Sequence, residues 1–318
     1  MQIDHVKSIR EGAIGGIGAI PGTFCAHFCD VIKMRQQLTG ERWTSAIRGI
    51  YSNQQGRRRG AGGGSTNKTN QQHTRSITNF FAGAMPAIQQ KIATRSTMFL
   101  SSSISIQFFQ QYLNFSSTSS AFIGSATSGY ITGYIASPWE WQKVLVSQRV
   151  PSPVAGKGVF ALFIEATKCH GHIGGMKCLS KRMHGAGLRN AIFDSTFFGV
   201  KHMLEDMKNT SNNNSNNNIV SLFSSSGYAY GIAAITAVSV DYAIDVSVKR
   251  TYGTGPECSI PPMGVIRHTI HIVSKNGLRI IYRGLGIKCT EFGISYMITG
   301  MMAPYVTRAM DDVLFVSK

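Results

Sequence analysis

An acidic residue followed shortly by a basic residue recurs three times in this chain of 318 residues. The acidic members are Asp30, Glu140 and Asp245, at intervals of 110 residues (30 to 140) and 105 residues (140 to 245). The segments read FCDVIKMRQQ (28–37), PWEWQKVLVS (138–147) and AIDVSVKRTY (243–252). Opposite charges at matching places can form ion pairs between neighbouring segments. Near-equal intervals of about 100 residues predict three tandem copies of one unit.

A second group of ionisable residues lies in apolar segments between these motifs. They are Lys91 and Arg95, Arg189 and Asp194, and Lys288 and Glu291. Charged side chains inside apolar helices are costly, so their default interpretation is functional. The guanidinium of Arg189 suits a carboxylate or phosphate, to which it can make two charge-assisted hydrogen bonds. Glu291 can hold a substrate amino group or pair with a neighbouring cation, and the sequence leaves both roles open.

Long apolar, glycine-rich stretches must position these charges. Three of them lead into the acidic residues, at 12–32, 120–141 and 219–246, and three more cover 84–113, 183–206 and 285–303. About 20 helical residues cross a bilayer, and small residues let membrane helices approach closely. The alternative is a soluble protein with buried helices. Six such stretches in one chain favour six membrane-spanning helices.

Composition and charge placement support the membrane interpretation. Charged residues make up 15% of the chain, against about 25% in soluble domains. The net charge is +17, and basic residues concentrate at 39–80, 149–181 and 251–283, whereas 114–119 and 205–218 carry almost none. The positive-inside bias then places the basic loops on one side and both termini on the other. The six cysteines show no CxxC spacing, so neither a metal site nor a cofactor is expected.

A basic, glycine-rich insertion, GRRRGAGGGSTNKTNQQH, occupies 56–73. It lacks the closing Gly-Lys-Ser/Thr of a phosphate-binding loop. A nucleic-acid or phospholipid patch is one interpretation, and a solvated insertion without either partner is the preferred one. Its function stays open.

In combination these features resemble the mitochondrial carrier family, whose motif is P-x-[DE]-x-x-[KR]-x-[KR]. The turn in GLRIIYRGLG (277–286) and the segment LRNAIFDSTFFGV (188–200) are also similar to that family. The resemblance implies an all-α membrane protein with six transmembrane helices in three tandem repeats, arranged with pseudo-threefold symmetry around a central cavity. The repeats would cover 8–114, 115–208 and 219–310. Short helices parallel to the membrane would fall near 44–53, 157–169 and 263–274.

The chain departs from the family pattern at several positions. Phe28 and Ala243 stand where the motif has proline, and Val248 replaces a basic residue. The resemblance implies a matrix gate formed by Asp30, Lys33, Glu140, Lys143 and Asp245. Within it, the first lysine would pair with Glu140 and the second with Asp245. Asp30 would lack its partner, with Lys249 or Arg250 as substitutes. The family's [FY]-[DE]-x-x-[KR] motif of the opposite side is missing, so a weak outer gate is expected.

The resemblance also implies a substrate-binding level, seven residues after the glycine of each turn. Counted in this way, the contact residues are Gln90, Arg189 and Glu291, with Lys91 and Asn190 beside them. Their asymmetry predicts a small anionic or zwitterionic solute of the carboxylate, keto acid or amino acid class. Arg189→Ala is expected to abolish uptake while leaving the protein folded.

The expected role is transport across the mitochondrial inner membrane by alternating access, in a multi-pass monomer with both termini in the intermembrane space. The expected partners are the solute and the bilayer, with anionic phospholipid on the basic matrix side and no nucleic acid. The alternative is a degenerate carrier-fold protein with a structural or interaction role and no transport. An enzyme is not expected, because the chain has no GxSxG, HExxH or dinucleotide-binding fingerprint.

Overall fold

The architecture was taken from a computed structural model that describes residues 4–39, 43–51, 84–147, 154, 157–211, 226–252, 265–277, 282 and 284–315. Helices account for 95% of these described residues, and no strand occurs among them. The basic insertion at 56–73 lies outside the described residues. Gln90 and Lys143 lie within helices, but their side chains also fall outside the description.

Eight helices make up the described ranges. They are α1 (His5–Thr39), α2 (Trp43–Tyr51), α3 (Ala84–Tyr112), α4 (Ser117–Ser147), α5 (Val159–Ser211), α6 (Ser226–Tyr252), α7 (Val265–Asn276) and α8 (Leu285–Phe315). Short helices therefore occur near all three expected places, as α2, the first part of α5, and α7. Gly171, with φ of 70° and ψ of 171°, interrupts α5 and separates its short first part from the long helix that follows. Glycine tolerates this backbone conformation because it has no Cβ.

The six long helices, α1, α3, α4, α5, α6 and α8, form a closed ring. Each packs against the long helix before it and the long helix after it, and α8 packs back against α1. Neighbouring long helices run antiparallel, and residues 113–116 join α3 directly to α4. The ring brings the ends of α1, α4 and α6, where the acidic residues lie, to the same end of the bundle as the starts of α3 and α8.

Two of the helices are long and apolar enough to cross a membrane. They cover His5–Lys33 and Gly227–Tyr252, in α1 and α6. The remaining long helices carry more polar and charged residues, many of which are buried between helices rather than exposed on the outer face. Length and composition thus give weak evidence of a membrane protein.

Aromatic residues fill the half of the bundle interior that lies toward the chain termini. Phe99 and Phe197 are fully buried, with their ring centroids 5.9 Å apart. Tyr230 stacks on Phe99 at 6.0 Å, and Tyr296 lies 4.8 Å from Phe197. Edge-to-face and offset contacts of this kind add to the stabilisation from burial. This half of the ring interior is therefore closed by packed rings.

Glycines set the closest approach between helices. A Cβ added at Gly22 of α1 would lie 2.4 Å from the backbone oxygen of Ser295 on α8. A Cβ added at Gly133 of α4 would lie 2.7 Å from the backbone oxygen of Ala186 on α5. Backbone atoms cannot yield as a flexible side chain can, so the helix spacing at both crossings requires glycine.

We expect Gly22→Ala to lower the melting temperature of the purified protein in mild detergent. The added methyl group must push α1 from α8, and overpacking of this kind costs about 1–3 kcal/mol. Gly286→Ala is the matched control, because a Cβ there has open space around it. An equal melting temperature for Gly22→Ala and the original protein would show that the two helices are not in close contact.

Candidate functional site

A largely buried arginine joins three helices on one side of the ring. Arg189 of α5 donates from Nη1 to Glu140 Oε1 of α4 at 2.5 Å and to Asp245 Oδ1 of α6 at 3.3 Å. Its Nε and Nη2 both donate to Asn190 Oδ1, at 3.0 and 2.7 Å. Three of its donor nitrogens are thus engaged, which fixes the plane of the guanidinium.

Two lysines extend this cluster from Asp245. Lys288 of α8 donates from Nζ to Asp245 Oδ2 at 2.9 Å and to Asp241 Oδ1 at 3.4 Å. Lys249, one turn after Asp245 on α6, donates to the same Oδ2 at 2.9 Å. The cluster therefore connects α4, α5, α6 and α8, with Asp245 at its centre.

A second cluster connects α1, α3 and α8. Lys33 donates from Nζ to Glu291 Oε2 at 2.5 Å and to Asp30 Oδ1 at 2.9 Å. Lys91 of α3 places Nζ 3.7 Å from Glu291 Oε1. Because Lys288 and Glu291 lie about one turn apart on α8, the two clusters meet there, and together they draw on all six long helices of the ring.

The two clusters together form one layer of charges across the ring. Beside them lies an arginine held by hydroxyl groups. Arg95 of α3 donates to Thr299 Oγ1 at 3.0 Å and to Ser295 Oγ at 2.8 Å, and its guanidinium lies 3.9 Å from the ring centroid of Tyr296. Removing charges from water is costly unless opposite charges and hydrogen bonds compensate. This layer meets that condition with ion pairs, hydroxyl acceptors and ring faces, so it is an organised polar site inside the bundle.

The structure brings several of the predicted solute contacts into this layer. Arg189, Asn190, Glu291 and Lys91 all lie in one cluster or the other. Gln90 precedes Lys91 on α3, and nothing further is described of its side chain. The roles of these residues toward a solute remain predictions.

The pairing expected between Lys33 and Glu140 does not occur in the described form. Lys33 contacts acids on α1 and α8, and Glu140 accepts from Arg189 on the neighbouring α5. Asp30, expected to lack a partner, binds Lys33 one turn along its own helix. The physical reason is distance: α8 lies next to α1 in the ring and α5 lies next to α4, whereas α3 separates α1 from α4. Lys249, expected as a substitute partner for Asp30, instead binds Asp245 on its own helix.

Ion pairs also occur at the opposite end of the ring, where a weak gate was expected. Lys201 of α5 lies 3.9 Å from Glu11 of α1 and 3.7 Å from Glu205, with Nζ 4.7 Å from the ring centroid of Tyr230. Arg10 of α1 pairs with Asp311 of α8. These pairs use the start of α1 rather than the family motif, which explains why motif spacing did not reveal them.

Sequence reasoning did not single out several polar residues in or beside the layer, among them the hydroxyl acceptors Ser295 and Thr299. Asp241 lies one turn before Asp245 on the same face of α6, and Thr23 and His27 lie about two turns and one turn before Asp30 on α1. A search for polar residues at intervals of three and four around each acidic residue would have found all of them.

Comparison with models of known protein families gave no match to this chain, and a search of curated proteins found no relative.

Proposed function

We propose that this chain is a divergent member of the mitochondrial carrier family that moves a small anionic or zwitterionic metabolite across the mitochondrial inner membrane. The observation that carries the proposal is the closed ring of six long helices, all of which contribute to one buried layer of charges. A ring around charged groups matches what the resemblance implies for a solute pathway, and buried ionisable residues mark such pathways.

Helix length supports six membrane spans. The shortest of the six long helices, α6, has 27 residues, which at about 1.5 Å per residue exceeds a hydrocarbon core of about 30 Å. The polar residues of the less apolar helices are largely turned into the ring, where membrane proteins place them. With basic segments on the matrix side, both termini would face the intermembrane space.

The three-repeat organisation follows from the matching positions of the charges. We assign the repeats to 8–114, 115–208 and 219–310, each with two long helices and one short helix. The acidic residue lies toward the end of the first long helix in every repeat, in α1, α4 and α6. Each repeat thus contributes one such acidic residue to the layer, as three copies of one unit would.

Exchange of partners gives the layer two states. In the described form, Lys33 binds Glu291 and Glu140 binds Arg189, so each charge is satisfied by an adjacent helix. Bringing α1 and α4 together at the matrix end would let Lys33 bind Glu140 instead and free Arg189 and Glu291 for a solute. Solute binding in the second state offsets the loss of the first set of pairs, and alternation between the states moves the solute.

The size and charge of the site favour a small solute. The cavity beside Lys91 and Glu291 is small in the described form, at about 10 Å³, which is roughly the space of one water molecule. Arg189 offers a carboxylate binder and Glu291 an ammonium binder. No cofactor and no nucleic acid enter this proposal, and the protein would act as a monomer in contact with anionic lipid on its basic side.

A degenerate carrier-fold protein without transport is the second candidate. The packed aromatic interior toward the termini favours it, because buried rings such as Phe99 and Phe197 contact one another there. The two candidates differ in whether this packed aromatic cluster separates. Transport requires that it separate, whereas a structural role requires only that it hold the ring together.

A ligand screen tests the proposal. We expect purified protein in mild detergent to be stabilised against heat by one class among keto acids, dicarboxylates, amino acids and nucleotides, because a ligand that binds the folded state raises its stability. The same class should then enter liposomes that contain the protein and fail to enter protein-free liposomes. Folded protein that responds to no solute in either assay would favour the structural role.

A further inference from the structure

Three helices enclose a small polar cavity next to the second charge cluster. Thr23, Ala26, His27 and Asp30 line it from α1, Lys91 from α3, and Glu291 and Ser295 from α8. Thr23 and His27 are 6% and 5% exposed. The cavity is therefore buried within the bundle and not a surface groove.

Two of the side chains in this cavity lack hydrogen-bond partners. Over the part of the chain that is described, Thr23 Oγ1 and both ring nitrogens of His27 are buried without any partner. Buried polar groups in native proteins are nearly always hydrogen-bonded to protein, water or a ligand, so the unpaired hydroxyl and imidazole indicate that a water or a ligand group occupies this cavity. Neither residue takes part in the ion pairs of the layer.

Glu291 leaves one oxygen toward the same space. Its Oε2 accepts from Lys33 at 2.5 Å, whereas its Oε1 is 3.7 Å from Lys91 Nζ, which is beyond hydrogen-bond distance. Asp30, Lys33, Lys91 and Glu291 together carry equal numbers of positive and negative charges. A zwitterion can enter without changing that balance, whereas a simple anion or cation cannot.

We propose that this cavity binds the ammonium group of a zwitterionic solute, which makes the transported class an amino acid. A primary ammonium has three donors, and Thr23 Oγ1, one ring nitrogen of a neutral His27 and Glu291 Oε1 supply three acceptors. Lys91 at the cavity edge then binds the carboxylate of the solute. This inference rests on the proposed transport function and narrows it to one substrate class.

Matched solutes separate this inference from the transport proposal. Each amino acid in a thermal-shift and liposome-uptake series is paired with the 2-keto acid and the 2-hydroxy acid of the same skeleton. We expect the amino acid of one skeleton to bind at least tenfold more tightly than its two partners, because only the amino acid carries the ammonium group. Equal or tighter binding of the keto acid would overturn the ammonium site while leaving transport intact. No binding by any of them would contradict the transport proposal as well.

Thr23→Val tests the site itself with little change in shape. The hydroxyl becomes a methyl group, so binding of the amino acid should weaken by about 10- to 100-fold, while binding of the hydroxy acid should stay the same. Thr127→Val is the control, since Thr127 lies on the exposed face of α4 and bonds only to the carbonyl of Ile123 one turn before it. His27→Gln, which keeps an acceptor, should bind more tightly than His27→Leu. Unchanged amino acid binding by both Thr23→Val and His27→Leu would overturn the proposal.

Discussion

Replacing Arg189 with glutamine is expected to abolish solute uptake and to lower the melting temperature of the bundle. Arg189 holds Glu140 of α4 and Asp245 of α6 from one guanidinium. Without it, Asp245 keeps Lys249 and Lys288, whereas the largely buried Glu140 loses its cation, and breaking a buried ion pair from one side costs about 3–5 kcal/mol. The sequence alone predicted that Arg189→Ala abolishes uptake and leaves the protein folded. The contacts of Arg189 add a loss of stability to that expectation.

Arg189→Lys separates the two effects. Lysine keeps the positive charge but cannot form the planar fork. This variant should therefore fold, while its rate of solute uptake should fall at least tenfold. Arg308→Gln removes a cation from an exposed position of α8 and serves as the control. Initial rates of uptake into liposomes and thermal unfolding in detergent are the two measurements. Full uptake by Arg189→Gln would show that Arg189 does not bind the solute.

The positions of the acidic residues and of helix breaks were predictable from the sequence, because local spacing determines them. The acidic motifs lead to the acids of the buried layer, and Tyr-Arg-Gly at 282–284 marks the break before α8, where Gly284 has a φ of 94°. The helical class of the described residues was also expected and is confirmed. All these features depend on hydrophobic runs and on residues a few places apart, which a single sequence contains.

The pairing of the charges was not predictable in the same way. Lys33 and Glu291 are 258 positions apart, and they meet only because the ring closes through α1 and α8. The family motif places Lys33 beside Glu140, which is a different arrangement of the same helices. Sequence spacing gives the candidate partners of each charge, whereas the packing of the helices determines which partner lies within reach. Unpaired groups such as His27 have no motif at all and appear only when the packing is known.

Neutralising Lys33 and Glu291 is the second change with a large expected effect. Lys33→Met leaves Asp30 and Glu291 facing only Lys91, so we expect a loss of about 3–5 kcal/mol of stability. Glu291→Gln should cost less, because Lys33 keeps Asp30. Both single variants should lose uptake, since Lys33 takes part in each of the two proposed pairings and Glu291 holds the solute.

The double variant tests whether the two residues act as a pair. Lys33→Met with Glu291→Gln leaves one acid, Asp30, and one base, Lys91. The double variant should therefore lose about 0.5–3 kcal/mol less stability than the sum of the two single losses. Lys7→Met with Asp312→Asn changes the same charge types at exposed positions and should show no coupling. Additive losses in the buried pair would mean that α1 and α8 are not held together by this bond. Because uptake should stay absent in the double variant even as stability returns, the comparison separates the part of this layer that holds the ring from the part that moves a solute.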